Sequence, residues 1–200
     1  MAANTSKRSY KINVKNPVYC KLTSDSLSGV SYGSVVSLGE AMQMQVTAVS
    51  SSGQLYGNGS IVDSSSKIVG LTVVFDATKL PIEVVADIYN QTYTNGVMQE
   101  KAGEQANYIA LGYEVEQTTG DSEYVWLLKG RPQPLNENTQ QSEANITYST
   151  DQMTIDFVRR IYDDMLRYKA DAANADFTAA QAAAWFNSGP TSPVAPVITT

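Results

Sequence analysis

Two runs of alternating side chains, YIALGYEVEQ over 108–117 and EYVWLLKG over 123–130, constrain this chain more than any other feature. Successive side chains of a strand point to opposite faces, so Ile109, Leu111, Tyr113 and Val115 share one face while Ala110, Gly112, Glu114 and Glu116 share the other. Thr118-Thr119-Gly120-Asp121-Ser122 between them is turn chemistry, and the pair reads as an antiparallel hairpin.

The same period recurs elsewhere. In AMQMQVTAV, Met42, Met44, Val46 and Ala48 fall on a dry face, and Gln43, Gln45 and Thr47 fall on a wet one. KIVGLTVVF over 67–75 puts Val69, Leu71, Val73 and Phe75 together, and the two segments are expected to pair antiparallel across a long loop that contains the Asn58-Gly59 turn signal. Near the N-terminus, YKINVK and VYCKL read as two short strands bent at Asn16-Pro17, and Met153, Ile155 and Phe157 mark a late strand within 146–158. A further strand is expected after a turn at Asp163 and Asp164. Val occurs 19 times and Tyr 12 times against 11 Leu, a bias toward side chains that fit a pleated surface.

Helix signals are few. Ile82, Val85, Ile88 and Tyr89 make an apolar stripe behind Pro81, which predicts a short helix over about 80–90 capped by Asp76 or Thr78. Asp176 is expected to cap FTAAQAAAWF, with Phe177, Ala180, Ala184 and Trp185 on one side. The segments 23–39, 50–66 and 131–144 are polar and aperiodic and read as long loops or arms, the first with only a short strand at Val35 and Val36, and the uncharged, proline-rich end reads as an extended tail. The fold class that follows is mainly β: an antiparallel β-sandwich or barrel with one short flanking helix over 1–170, then a C-terminal helix and tail over 171–200.

Composition narrows the chemistry. There is no histidine, which removes the usual general base and every Ser-His or Cys-His nucleophile pair. Cys20 is alone, so neither an intrachain disulfide nor a cysteine-based zinc site can form. Phosphate-cradling and dinucleotide-binding glycine patterns are absent, and no cofactor is expected. Glu114 and Glu116 stand two apart on one strand face, a spacing open to a glycosidase pair, but two solvated carboxylates are the simpler reading and no enzyme is expected. Residues 1–21 hold five basic and no acidic side chains, leaving nine basic against twenty acidic ones in the rest. An acidic body repels phosphate backbones, which argues against tight nucleic-acid binding outside the N-terminal strip. With no long apolar run, no membrane partner is expected.

YIALGY, a turn, YVWLLKG and then Pro132 together resemble the central signature of the major tail proteins, or tail-tube proteins, of long non-contractile-tailed bacteriophages. Residues 10–19, LYGNG over 55–59, the short helix after Pro81 and the strand running to Phe157–Arg160 fall where that family would have them, so the resemblance spans about 8–170. It implies a tail-tube-type β-sandwich that assembles as hexameric rings stacked into a tube through which the genome leaves the particle. The implied location is the virion tail, assembled in the host cytoplasm. The implied partners are other copies of the chain, a tape measure protein, a tail terminator and distal tail or baseplate proteins, with DNA passing through unbound.

A bore lined by acids and amides does not displace phosphate counterions, so passing DNA does not lodge. The lumen candidates are the wet faces: Gln43, Gln45 and Thr47 on one strand, Glu114 and Glu116 on another, and Glu40 at the fringe. Competing readings are a carbohydrate- or receptor-binding β-sandwich with aromatic stacking platforms, and the tube subunit of a secretion-system needle.

Overall fold

The central hairpin organises the molecule. The computed structural model describes residues 9–136 and 149–192. Its elements are β1 (Lys11–Ser26), β2 (Gly29–Tyr32), β3 (Val36–Ser37), β4 (Ala41–Gly57), β5 (Ser60–Ala77), α1 (Ile82–Ile88), β6 (Thr92–Thr94), β7 (Val97–Gln99), β8 (Ile109–Gln117), β9 (Ser122–Pro132), β10 (Asp151–Val158), β11 (Arg167–Asp171) and α2 (Ala179–Ala184). The protein is mainly antiparallel β.

One sheet runs in the order β2-β1-β8-β9-β10-β5-β4, with β3 beside β1. β9 is the branch point. Its first half, Glu123 to Leu127, pairs with β11, and its last residues, Gly130 to Pro132, pair with β10. The sheet thereby turns over to give two walls, β1-β8-β9 and β10-β5-β4, around a shared core that includes Leu111, Leu127, Ile155, Val73 and Phe75. Each such side chain contributes about 1.5–3 kcal/mol on full burial. α1 covers the core with Val85 and Ile88. Gly130 is required at the branch, because a Cβ there would stand 2.5 Å from the ring of the buried Phe157.

Several expectations are corrected. The N-terminal pair of strands is one strand, β1, bulged between Lys15 and Val18 where Asn16 takes φ 50°. The expected 23–39 loop holds a hairpin, β1 with β2, registered through Asp25 opposite Val30. The expected loop between the two central strands is ladder throughout, up to a turn at Asn58 (φ 49°) and Gly59 (φ 78°), the left-handed pair that a two-residue hairpin turn demands. Met42 and Val69 leave the dry face: register shifts at Ala41/Gln43 and Val49/Ser50 turn them outward, and Met42 is 55% exposed. Pro81 occupies the N-cap of α1 with no side-chain cap; nearby, the Asp151 carboxylate accepts the Leu80 amide at 2.7 Å. Thr178, not Asp176, caps α2, in a capping box with Gln181. The late strand runs from Asp151, and 137–148 of the expected arm and strand lie outside the described residues, as do 193–200 of the tail.

The loop between β10 and β11 is held from beneath by two buried charges. Asp25 bonds Lys129 Nζ at 2.7 Å and accepts the amides of Ile161 and Tyr162. Burial pushes the Asp25 carboxyl up, but Lys129 and the two amides outweigh it and hold it below the usual carboxylate range. The stability this gives is complete above about pH 4, where an unfolded Asp is ionised, and is lost as pH falls through the lower folded value. Urea midpoints taken from neutral into acid are therefore expected to fall more steeply in the wild type than in Asp25→Asn, which starts less stable; parallel slopes would show that Asp25 is not an acid-sensitive group.

Candidate functional site

The β10-β5-β4 wall turns a face away from the core that is polar except for Val74. Gln43, Gln45 and Thr47 of β4 lie opposite Asp76, Val74 and Thr72 of β5, and these lie opposite Gln152, Thr154 and Asp156 of β10. The rows are tied by side chains. Gln152 Nε2 donates to Asp76 at 2.8 Å, while Thr72 Oγ1 and Gln133 Nε2 each donate to Asp156 at 2.8 Å. None of these nine strand positions is basic. The neighbouring cation, Arg131 of β9, is turned aside, with its guanidinium 4.0 Å over the Tyr108 ring and bonded to Gln105 at 2.9 Å. Glu40 stands exposed just before β4, and its carbonyl accepts the Thr78 amide.

Glu114 and Glu116 are elsewhere. They point outward from the β1-β8-β9 wall, with the core between them and the Gln43 row. Both are engaged: Glu116 pairs with Lys15 at 2.7 Å, and Glu114 accepts Asn16 Nδ2 at 2.8 Å and Ser122 Oγ at 2.6 Å. The hydrogen bond from Lys15 holds the Glu116 carboxyl below the usual carboxylate range. These contacts fasten β8 to the bulge of β1. The basic strip is consumed in the same way, Lys11 by Glu123 at 2.9 Å and Lys21 by Asp87 at 2.6 Å. Lys7 and Arg8 lie outside the described residues. No group of three or more His, Cys, Asp or Glu able to hold a metal converges among the described residues, and no helix among them is long and apolar enough to cross a membrane.

Beyond the core, β4 and β5 continue as a two-stranded arm. From Thr47 to Val69 every residue except Gly57 is exposed, including an apolar tip of Leu55, Tyr56, Ile61 and Val62. At about 3.3 Å per residue, the eight residues from Ser50 to the turn carry that tip ~25 Å outward. Among the described residues the outer edge of β4 has no partner strand along its 17 residues. Where β4 faces β1 there is no ladder but a cleft of about 470 Å³, bordered by Val14, Met44, Val46 and Tyr113. A ribbon of this kind is marginal by itself in water, and a long open edge invites another strand.

Nothing in the alternation showed that the face carrying Ala110 and Gly112 is dry. It is covered by the C-terminal segment, whose Phe177, Trp185 and Phe186 join Cys20, Ala110, Trp126 and Leu128 in a second apolar cluster. The small side chains at 110 and 112 were the one hint, since they leave room for aromatic rings. No family model and no curated protein matches the chain.

Proposed function

We propose that the chain is the major subunit of the tail tube of a long non-contractile-tailed bacteriophage, its rings stacking into the conduit for the genome. The observation that carries this reading is the arm with its open edge: an exposed ribbon of more than twenty residues, joined to a sheet that ends, among the described residues, on a strand with one edge unpaired. Copies that pair β4 with a neighbour close a ring without loose edges, and arms that lie on the next ring supply the contact that repeats along an axis. The resemblance centred on YIALGY and YVWLLKG points the same way.

Within this reading the two wet faces look in opposite directions, so one subunit offers the bore one of them. We assign the bore to the β10-β5-β4 face, where Gln43, Gln45 and Thr47 are continuous with Asp76 and Asp156 and free of lysine. Glu114 and Glu116, already spent on β1, then lie away from it.

Electron microscopy of the purified protein tests the assembly: rings or tubes of uniform width are expected, and dispersed monomers at every concentration and salt would overturn the reading. Particles carrying Gln43→Lys with Gln45→Lys are expected to release their genome more slowly in vitro than wild type. Those carrying Glu114→Lys with Glu116→Lys are expected to release it at the wild-type rate, and the opposite ranking would exchange the two faces.

A further inference from the structure

After β11 the chain turns back and residues 177–190 lie across the outer face of the β1-β8-β9-β11 wall. That face is shaped for them. A Cβ on Gly112 would stand 2.8 Å from the Phe186 ring and 3.0 Å from Trp126, so the glycine leaves the hollow in which Phe186 sits. The rings of Trp126 and Phe186 meet edge-on at 5.5 Å, and Phe177 meets Trp185 in the same way at 5.7 Å.

Two buried donors on the body then read the segment's backbone. Trp126 Nε1 donates to the Trp185 carbonyl at 2.9 Å, and Arg160 Nη1 donates to the Pro190 carbonyl at 2.6 Å. Neither donor needs the segment to hold its position. Trp126 is pinned in β9 between β8 and β11, and the other bonds of Arg160 go to Tyr32, Asp163 and Tyr168. The segment itself has little independent order: α2 is six residues long, far below the length at which a helix persists alone, and exposed residues 173–176 connect it to β11. A hollow for an aromatic side chain flanked by fixed N–H donors for main-chain carbonyls is the chemistry by which proteins bind peptides.

We propose that this face is a peptide-binding site, filled here by the chain's own residues 177–192 and equally suited to the same segment from a second copy, so that copies exchange C-terminal segments. The partner is fixed by fit, because the hollow takes Phe186 and the two donors meet the carbonyls of Trp185 and Pro190, and exchange of an identical element needs no new contact. The proposal does not rest on the tube reading.

Cys20, the only cysteine, reports on the site. Its Sγ lies under the segment, 3.2 Å from where a Gly189 Cβ would be, and burial pushes the thiol up to about 12, so a closed site keeps it unreactive. In the full chain carrying Trp185→Ala and Phe186→Ala, labelling of Cys20 by a thiol reagent is expected to speed up at least ~10-fold as the site opens. A synthetic peptide of wild-type residues 177–192 is expected to restore protection, and the same peptide with both alanines is not. Fast labelling unaffected by millimolar wild-type peptide overturns the proposal, and so does labelling no faster than wild type in a folded variant. Should the variant not fold, the wild-type chain decides: a fluorescent 177–192 peptide is expected to be taken up over hours, seen as raised anisotropy that excess unlabelled peptide reverses. No uptake over days overturns it.

Discussion

Arg160→Met is expected to lower the melting temperature by about 6–12 °C, on the basis of ~3 kcal/mol lost and about 2–4 °C per kcal/mol for a domain of this size. The side chain is wholly buried and every guanidinium nitrogen is used. Nε and Nη2 grip the two oxygens of Asp163, Nη2 also meets the Tyr168 hydroxyl, and Nη1 serves Tyr32 and the Pro190 carbonyl. Methionine keeps the apolar stem but reaches only as far as Nε, so the substitution removes the charge, its bonds and the terminal atoms of the guanidinium. Removing one member of a buried pair costs about 3–5 kcal/mol, and the lower end applies because Asp163 retains exposure to water. Arg159→Met is the control: that side chain and its partner Asp164 are each 70% exposed, and a surface pair of this kind contributes about 0–1 kcal/mol. Calorimetry of the two variants checks the contrast, and equal melting temperatures would show that burial confers no special weight on Arg160.

The second large effect is on assembly. Deleting residues 52–66 and joining Ser51 to Lys67 through Asn-Gly removes the arm but leaves Ser51 opposite Lys67 and the core ladder from Ala41 to Val49 in register with β5. Among the described residues the arm covers nothing in its own subunit, so the melting temperature is expected to stay within a few degrees of wild type. Tube formation is expected to fail, or to need at least ~10-fold more protein, since weakening the association of copies by ~1.4 kcal/mol raises the concentration required by a factor of about ten. Sedimentation and negative-stain images read this directly. Tubes of normal length from the shortened chain would remove the arm from the assembly interface.

How much of this was legible depended on whether neighbours in sequence carried the information. The β8-β9 hairpin was legible because both strands alternate without interruption and the turn between them is short, and its faces came out as the period requires. The pairing of β4 with β5 was legible for the same reason. The ladder across residues 50–66 was not, because serine and glycine have weak strand preference and their alternation carries no apolar signal. The outward turn of Met42 and Val69 was also hidden, since a single-residue bulge reverses the parity of a strand and leaves no mark in composition. In the candidate site, the Gln43, Gln45 and Thr47 row was visible, yet Asp76 and Asp156 were found only through register with β5 and β10.

The sequence by itself determined which regularly alternating segments are strands, where two of the hairpins turn and which side of most of those strands is apolar, because these follow from backbone geometry and a period of two. Only the tertiary structure decided that the sheet folds over so that Glu114 and the Gln43 row look in opposite directions, that Lys15 neutralises Glu116, and that a C-terminal segment fills the hollow above Gly112. Those outcomes depend on pairings between residues tens of positions apart, where the distance in space is set by how the whole sheet closes and not by any local run of side chains.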